Sequence, residues 1–132
     1  ISLRIEGTGD TIVRADPIRI GQALNNLLNN ALRHTPGGGT VTIRIQDLAT
    51  AQVSVEETDT GDGISADQLP HVFDRFYRGD ASRARDAAGS GVGLTIARAL
   101  VEAHGGTLRA SSAGPGRGAA LTLTLPRSRA EG

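Results

Sequence analysis

Four separated segments carry amides, carboxylates and glycines in patterns that suit the parts of a nucleotide. Asn26 and Asn30 stand one helical turn apart, so a helix projects both from one side. A neutral amide can set its carbonyl oxygen on Mg²⁺ without cancelling the metal charge that triphosphate oxygens need. Asp59-x-Gly61-x-Gly63 offers a carboxylate at a strand end. It can accept a hydrogen bond from the exocyclic amine of adenine, where guanine presents an oxygen, and the glycines let backbone approach a ring. Gly89-Ser90-Gly91-Val92-Gly93-Leu94 opens an amphipathic stretch. The free amides and dipole of a helix start attract phosphate. Phe73-x-x-Phe76-Tyr77-Arg78 combines aromatics at helical spacing with the cations Arg75 and Arg78.

Each segment also has a plainer reading: a polar helix face, an Asp-Gly turn, a flexible hinge, and core aromatics beside solvated arginines. Two familiar phosphate sites are excluded. The glycine segment lacks a P-loop lysine, and no strand precedes it as a Rossmann site requires.

These residues need elements to hold them. Residues 2–6 and 11–14 alternate as half-buried strands do, about a Gly7-Thr-Gly9-Asp turn. Asp16-Pro17 predicts a helix start, and Pro36-Gly-Gly-Gly39 its end after His34. Ile20, Leu24, Leu27, Leu28 and Ala31 form its predicted core face, with Asn26, Asn30, Arg33 and His34 on another. Residues 41–45 and 51–55 read as a strand pair, 61–65 as a loop, and 66–69 and 71–76 as short helices. Residues 79–89 have no sustained apolar period and read as a mobile lid. Val92, Ile96, Ala99, Leu100 and Ala103 mark a second helix, stopped by Gly105-Gly106. Strands at 107–111 and 119–125 close the chain around Gly114-Pro-Gly116. The order implies an α/β two-layer sandwich, one sheet covered on one face by helices.

At 132 residues the chain fits one domain. With 14 basic and 14 acidic residues the formal charge is zero, which argues against nucleic acid or an anionic membrane as a partner. The lack of cysteine excludes disulfides and thiol catalysis and suits the cytosol. No apolar run approaches the roughly 18 residues of a membrane-spanning helix. A chain opening on Ile1 reads as a piece of a longer protein, and residues 127–132 as a disordered tail.

In order and spacing the four segments resemble the catalytic ATP-binding domain of sensor histidine kinases, within the Bergerat-type (GHKL) ATPase superfamily. The resemblance covers residues 1–126. It implies a mixed sheet covered on one face by helices, a mobile ATP lid at about 78–90, and ATP and Mg²⁺ as ligands. By resemblance Asn30 supports the metal, while Arg33 and His34 face the phosphates. Asp59, Gly61, Gly63 and Ile64 line the base site, and Gly89 to Leu94 cradle phosphate. The Phe73 box, Tyr77 included, packs under the lid, and Arg75 and Arg78 reach the phosphates or the acceptor domain. One position departs from the pattern. Two residues before Asp59 an apolar residue is usual, and here Glu57 stands there. A shifted register would give Glu57 the aspartate's role, but the spacing to Gly61 and Gly63 favours Asp59.

Hydrolytic members of the superfamily use a glutamate to activate water, and here Asn26 takes its place. An amide cannot accept that proton. Transfer to a neutral imidazole needs no such base, so positioning and charge neutralisation suffice. Neither His34, His71 nor His104 is followed by the acidic residue usual at a phospho-accepting histidine. The resemblance therefore implies an acceptor histidine on a separate dimerisation domain, preceding this region in the full protein, and relay to a response-regulator aspartate. It also implies a monomeric fragment, cytoplasmic and without membrane contact, from a parent anchored in the bacterial inner membrane. A serine kinase of the anti-sigma type and a non-catalytic ATP sensor share the fold and remain as alternatives.

Overall fold

Asp16 and Pro17 start the first helix as their chemistry requires. In a computed structural model, which describes residues 2–7, 13, 15–48, 51–74 and 93–126, the Asp16 carboxylate accepts from the amides of Ile18 at 3.0 Å and Arg19 at 3.2 Å. Helix α1 runs Pro17–His34. Beyond it, Thr35 donates its hydroxyl to the Ala31 carbonyl at 2.7 Å and is itself buried. Five strands form one sheet: β1 (Ser2–Gly7), β2 (Thr40–Leu48), β3 (Gln52–Asp59), β4 (Thr107–Ser111) and β5 (Ala119–Pro126). Their spatial order is β1-β2-β3-β5-β4; β1 and β2 are parallel and every other pair is antiparallel. A second helix, α2 (Gly93–Ala103), returns the chain across the sheet to β4.

One core joins the two layers. Ile20, Ala23 and Leu27 of α1, Ala97 and Val101 of α2, and Leu108, Leu121, Leu123 and Leu125 of the sheet form a single buried cluster. The other sheet face is polar. There Arg44 bonds Glu6 at 3.1 Å and approaches Glu56 at 4.0 Å across neighbouring strands. The two-layer α/β sandwich with a mixed sheet is thus as predicted.

Several local predictions are corrected. In α1 the buried residues are Ile20, Ala23, Leu27 and Ala31, whereas Leu24 is 37% exposed. In α2 Ala97 and Val101 are buried, while Ile96, Ala99 and Ala103 face outward. Both faces are rotated for one reason: the helices pack on each other and on the sheet through alanines that are fully buried. The strand pair is longer than predicted, because β2 and β3 pair in register from Val41↔Asp59 to Leu48↔Gln52. Residues 75 and 76 of the second predicted short helix lie outside the described residues, and over residues 66–74 the predicted short helices are replaced by a 3₁₀ turn at Leu69–His71. Its bonds run three residues back, as from His71 N–H to Gln68 carbonyl, and Pro70 has no amide to continue an α-helix. Of the predicted strand at 11–14 only Val13 is described, packed against the core.

His104 is structural. Its Nδ1 lies 2.8 Å from the Leu100 carbonyl, and its Nε2 accepts the Asp16 amide at 3.1 Å. That pairing fixes the tautomer with the proton on Nδ1 and ties the end of α2 to the start of α1.

Candidate nucleotide site

The asparagine pair lies where α1 meets α2. Asn25 and Asn29 face solvent, whereas Asn26 and Asn30 are half-buried on the side towards the site. Asn26 donates its side-chain amide to the Gly93 carbonyl at 3.1 Å. Residues 67 positions apart are thereby joined, and the first segment meets the end of the glycine segment. Asn30, one turn on, makes no side-chain hydrogen bond among the described residues. Its amide oxygen is available to a hard cation. Among the described residues no group of three or more His, Asp or Glu could hold a metal alone. A cation bound by Asn30 would share its shell with phosphate oxygens, as Mg²⁺ commonly does. The residues present therefore fit Mg²⁺ delivered with a triphosphate.

The loop after β3 is pressed against the end of α1. The Asp62 amide donates to the His34 carbonyl at 2.9 Å, and His34 Nδ1 lies 3.4 Å from the Asp62 carboxylate. A Cβ on Gly61 would fall 2.1 Å from the His34 carbonyl oxygen. Gly63, at φ +73°, would place a Cβ 2.1 Å from the Gly114 carbonyl oxygen in the β4–β5 turn. Close backbone approach is thus the reason for both glycines, with protein backbone rather than a ring as the neighbour. Gly118 plays the same part against the Asp59 carbonyl, a role the sequence does not signal beyond its turn composition.

Asp59 ends β3 and accepts from the Gly61 amide at 2.9 Å and the Ala119 amide at 3.2 Å. Burial raises its carboxyl pKa, and those two amides and the nearby His34 partly offset the rise. Ile64 follows in the same loop, its amide donating to Ser112 Oγ at 3.0 Å. A cleft of about 350 Å³ borders Asp59 on the far side of the sheet, between Thr58, Ser111 and Arg117.

Glu57 lies on the helix-covered face of the sheet with Asp59. It pairs with Ile43 on one side and Leu121 on the other, and Leu121 belongs to the core. Only 3% of it is exposed, and neither carboxylate oxygen has a hydrogen-bond partner among the described residues. Burial, and then the Asp59 charge, push its pKa up to about 8 from 4.5. The folded chain therefore keeps a proton that the unfolded chain has lost between those two values. Stability should fall as pH rises from about 4.5 to about 8 and level off above. Between pH 5.5 and 8.5 the linkage relation gives a loss of about 3 kcal/mol. Urea melts at the two pH values should show that drop, and Glu57→Gln, which cannot titrate, should remove most of it.

Phe73 packs against the core, its carbonyl accepts the Thr95 hydroxyl at 2.8 Å, and Arg98 stacks over its ring at 5.3 Å from the centroid. These contacts anchor the third segment to α2, where Leu94 also meets the core. Arg33 is exposed on α1. Arg75, Phe76, Tyr77, Arg78, Gly89, Ser90, Gly91 and Val92 lie outside the described residues, as do the lid at 78–90 and the tail at 127–132. Among the described candidates, Asn26, Asn30, His34, Asp59, Gly61, Gly63, Phe73, Gly93 and Leu94 gather about the two helices and the end of β3.

A mixed sheet covered on one face by two helices, with an asparagine pair beside a glycine-led helix and a carboxylate at a strand end, defines a Bergerat-type ATPase domain. The chain belongs to the family of histidine kinase-, DNA gyrase B-, and HSP90-like ATPases, which it matches over residues 15–129. It is 46% identical over 115 residues to the sensor histidine kinase CusS of Escherichia coli (strain K12), covering 86% of this chain and 23% of CusS. The mycobacterial sensor histidine kinase MprB shares its fold with a TM-score of 0.85 and 34% identity, over 96% of this chain and 83% of the MprB structure. Full-length ShkA, solved in complex with AMPPNP, gives a TM-score of 0.80 at 26% identity, over 97% of this chain and 26% of ShkA. Among the described residues no helix is long and apolar enough to cross a membrane.

Proposed function

We propose that this chain is the catalytic ATP-binding domain of a two-component sensor histidine kinase, donating the γ-phosphoryl group of ATP to a histidine on a separate dimerisation domain. The single observation that carries the reading is the Asn26 to Gly93 hydrogen bond, which brings the asparagine pair and the glycine-led helix to one place. Asn26 acts there as a hydrogen-bond donor. A glutamate in its position would face the Gly93 carbonyl with no proton to give, so the geometry favours a site without a water-activating base. The AMPPNP bound to ShkA, whose fold this chain shares, also supports a nucleotide ligand.

In this reading Asp59 accepts from the adenine amine, held in place by the Gly61 and Ala119 amides. Asn30 holds Mg²⁺ beside the phosphates, and Arg33 and His34 border them. When bound, Mg²⁺ neutralises charge on the phosphate oxygens during transfer. Gly93 and Leu94, with residues 89–92 before them, cradle phosphate; Phe73 and Tyr77 pack under a lid at about 78–90, and Arg75 and Arg78 reach the phosphates or the acceptor domain. The catalytic domain extends over 1–126. The acceptor histidine lies on a helical domain of the parent protein, a response-regulator aspartate receives the group next, and the domain works on the cytoplasmic side of a membrane-anchored parent.

The test mixes this chain with a histidine-bearing helical domain and γ-labelled ATP. Acid-labile phosphate should appear on the helical domain and not on this chain alone. Acid-stable label would favour a serine kinase, and ATP binding without transfer a sensor. In calorimetry Asp59→Asn should weaken ATP binding by about 10-fold or more, the range for a hydrogen bond to a charged group, and erase preference for ATP over GTP.

A further inference from the structure

Glu57 is a costly residue to place where it stands. It is a buried carboxyl, 3% exposed, flanked by Ile43 and Leu121, with no partner for either oxygen among the described residues. A buried polar group without a partner is rare in folded proteins, and each one calls for a physical explanation, a functional role among them. Glu57 lies two residues before Asp59 on β3, so both side chains leave the same face of the sheet. Along the strand their Cα atoms are about 6.6 Å apart, and Glu57 has one methylene more with which to reach back.

The geometry points to Glu57 as a second base-recognition residue, its protonated carboxyl donating to adenine N1 beside the amine held by Asp59. This rests on the nucleotide reading above and adds a contact to it. The base edge presents an acceptor, N1, next to a donor, the amine. A neutral carboxyl presents a donor and an acceptor side by side, so the two edges match. Asp59 takes the amine hydrogen on the other side. The raised pKa of Glu57 agrees with a carboxyl that keeps its proton near neutrality. Binding would then give both Glu57 oxygens the partners they lack among the described residues.

The experiment compares ATP with 1-deaza-ATP, in which N1 is replaced by a carbon, by calorimetry on the wild-type chain, Glu57→Leu and Glu57→Gln. The wild type should prefer ATP by about 10-fold, the range for one buried hydrogen bond. Glu57→Leu, apolar between Ile43 and Leu121, should fold with a higher urea midpoint and bind both nucleotides with nearly equal affinity. Glu57→Gln keeps a donor and should retain most of the discrimination. An unchanged preference in Glu57→Leu would overturn the inference, as would a wild type that binds the two alike. Should Glu57→Leu fail to fold, Glu57→Met, apolar and close to glutamate in length, takes its place with the same expected loss of preference, and an unchanged preference there overturns the inference. A wild type that binds neither nucleotide would instead refute the nucleotide reading itself, so the two failures are distinguishable.

Discussion

Asn30→Ala should lower phosphoryl transfer to the helical domain by about 100-fold or more while leaving the fold intact. Loss of groups that merely orient a metal's ligands already costs about 10–100-fold, and Asn30 is assigned a direct contact. The side chain is half-buried and makes no hydrogen bond among the described residues, so truncation breaks none among them. Alanine is also the better helix former, so α1 should hold. Two comparisons isolate the role. Asn29→Ala, one position earlier and exposed, should transfer as the wild type does. Nucleotide affinity without Mg²⁺ should barely change in Asn30→Ala, whereas the gain on adding Mg²⁺ should shrink. Equal transfer rates for Asn29→Ala and Asn30→Ala would remove the metal from that position.

Gly61→Ala should be strongly destabilising, through a clash in the loop after β3. The added Cβ would lie 2.1 Å from the His34 carbonyl oxygen, 2.8 Å from the His34 carbonyl carbon and 3.0 Å from the Thr35 Cα. All three are backbone atoms, which cannot move aside by changing a rotamer. The end of α1 and the loop must separate, which also breaks the Asp62 to His34 hydrogen bond. Overpacking of this kind typically costs about 1–3 kcal/mol, and a lost hydrogen bond about 1 more. A fall in Tm of about 10 °C or more should follow in a domain of this size. Gly21→Ala is the control. Nothing lies within 4 Å of its Cβ, and inside α1 the change should raise stability slightly. If Gly61→Ala melts with the wild type, the contact between loop and helix is not as described.

Much of this architecture is legible from local signals. Asp16-Pro17 marks the start of α1, and Gly105 ends α2 at φ +80°, the left-handed conformation glycine favours. The burial of the two helices is less legible, because bulk misleads. Leu24 and Ile96 look like core residues, yet Ala23 and Ala97 occupy the tightest positions. Closely packed helices select small side chains, and that selection depends on a partner 74 residues away. The length of β3 is less legible, because Glu56 and Glu57 interrupt the apolar alternation that marks the strand up to Val55. Period two from Val53 and Val55 already points Glu57 inward, so its burial was readable; its lack of a partner was not. Gly61 and Gly63 after β3 are visible as a spacing, but their neighbours, His34 and Gly114, are set only by tertiary structure.

Titration of the folded chain with Mg·ATP in a calorimeter tests the central assignment most directly. Saturable one-site heat is expected, with GTP markedly weaker and affinity reduced when Mg²⁺ is withdrawn. No heat at millimolar ATP, from material whose circular dichroism and urea melt show an intact fold, would contradict it.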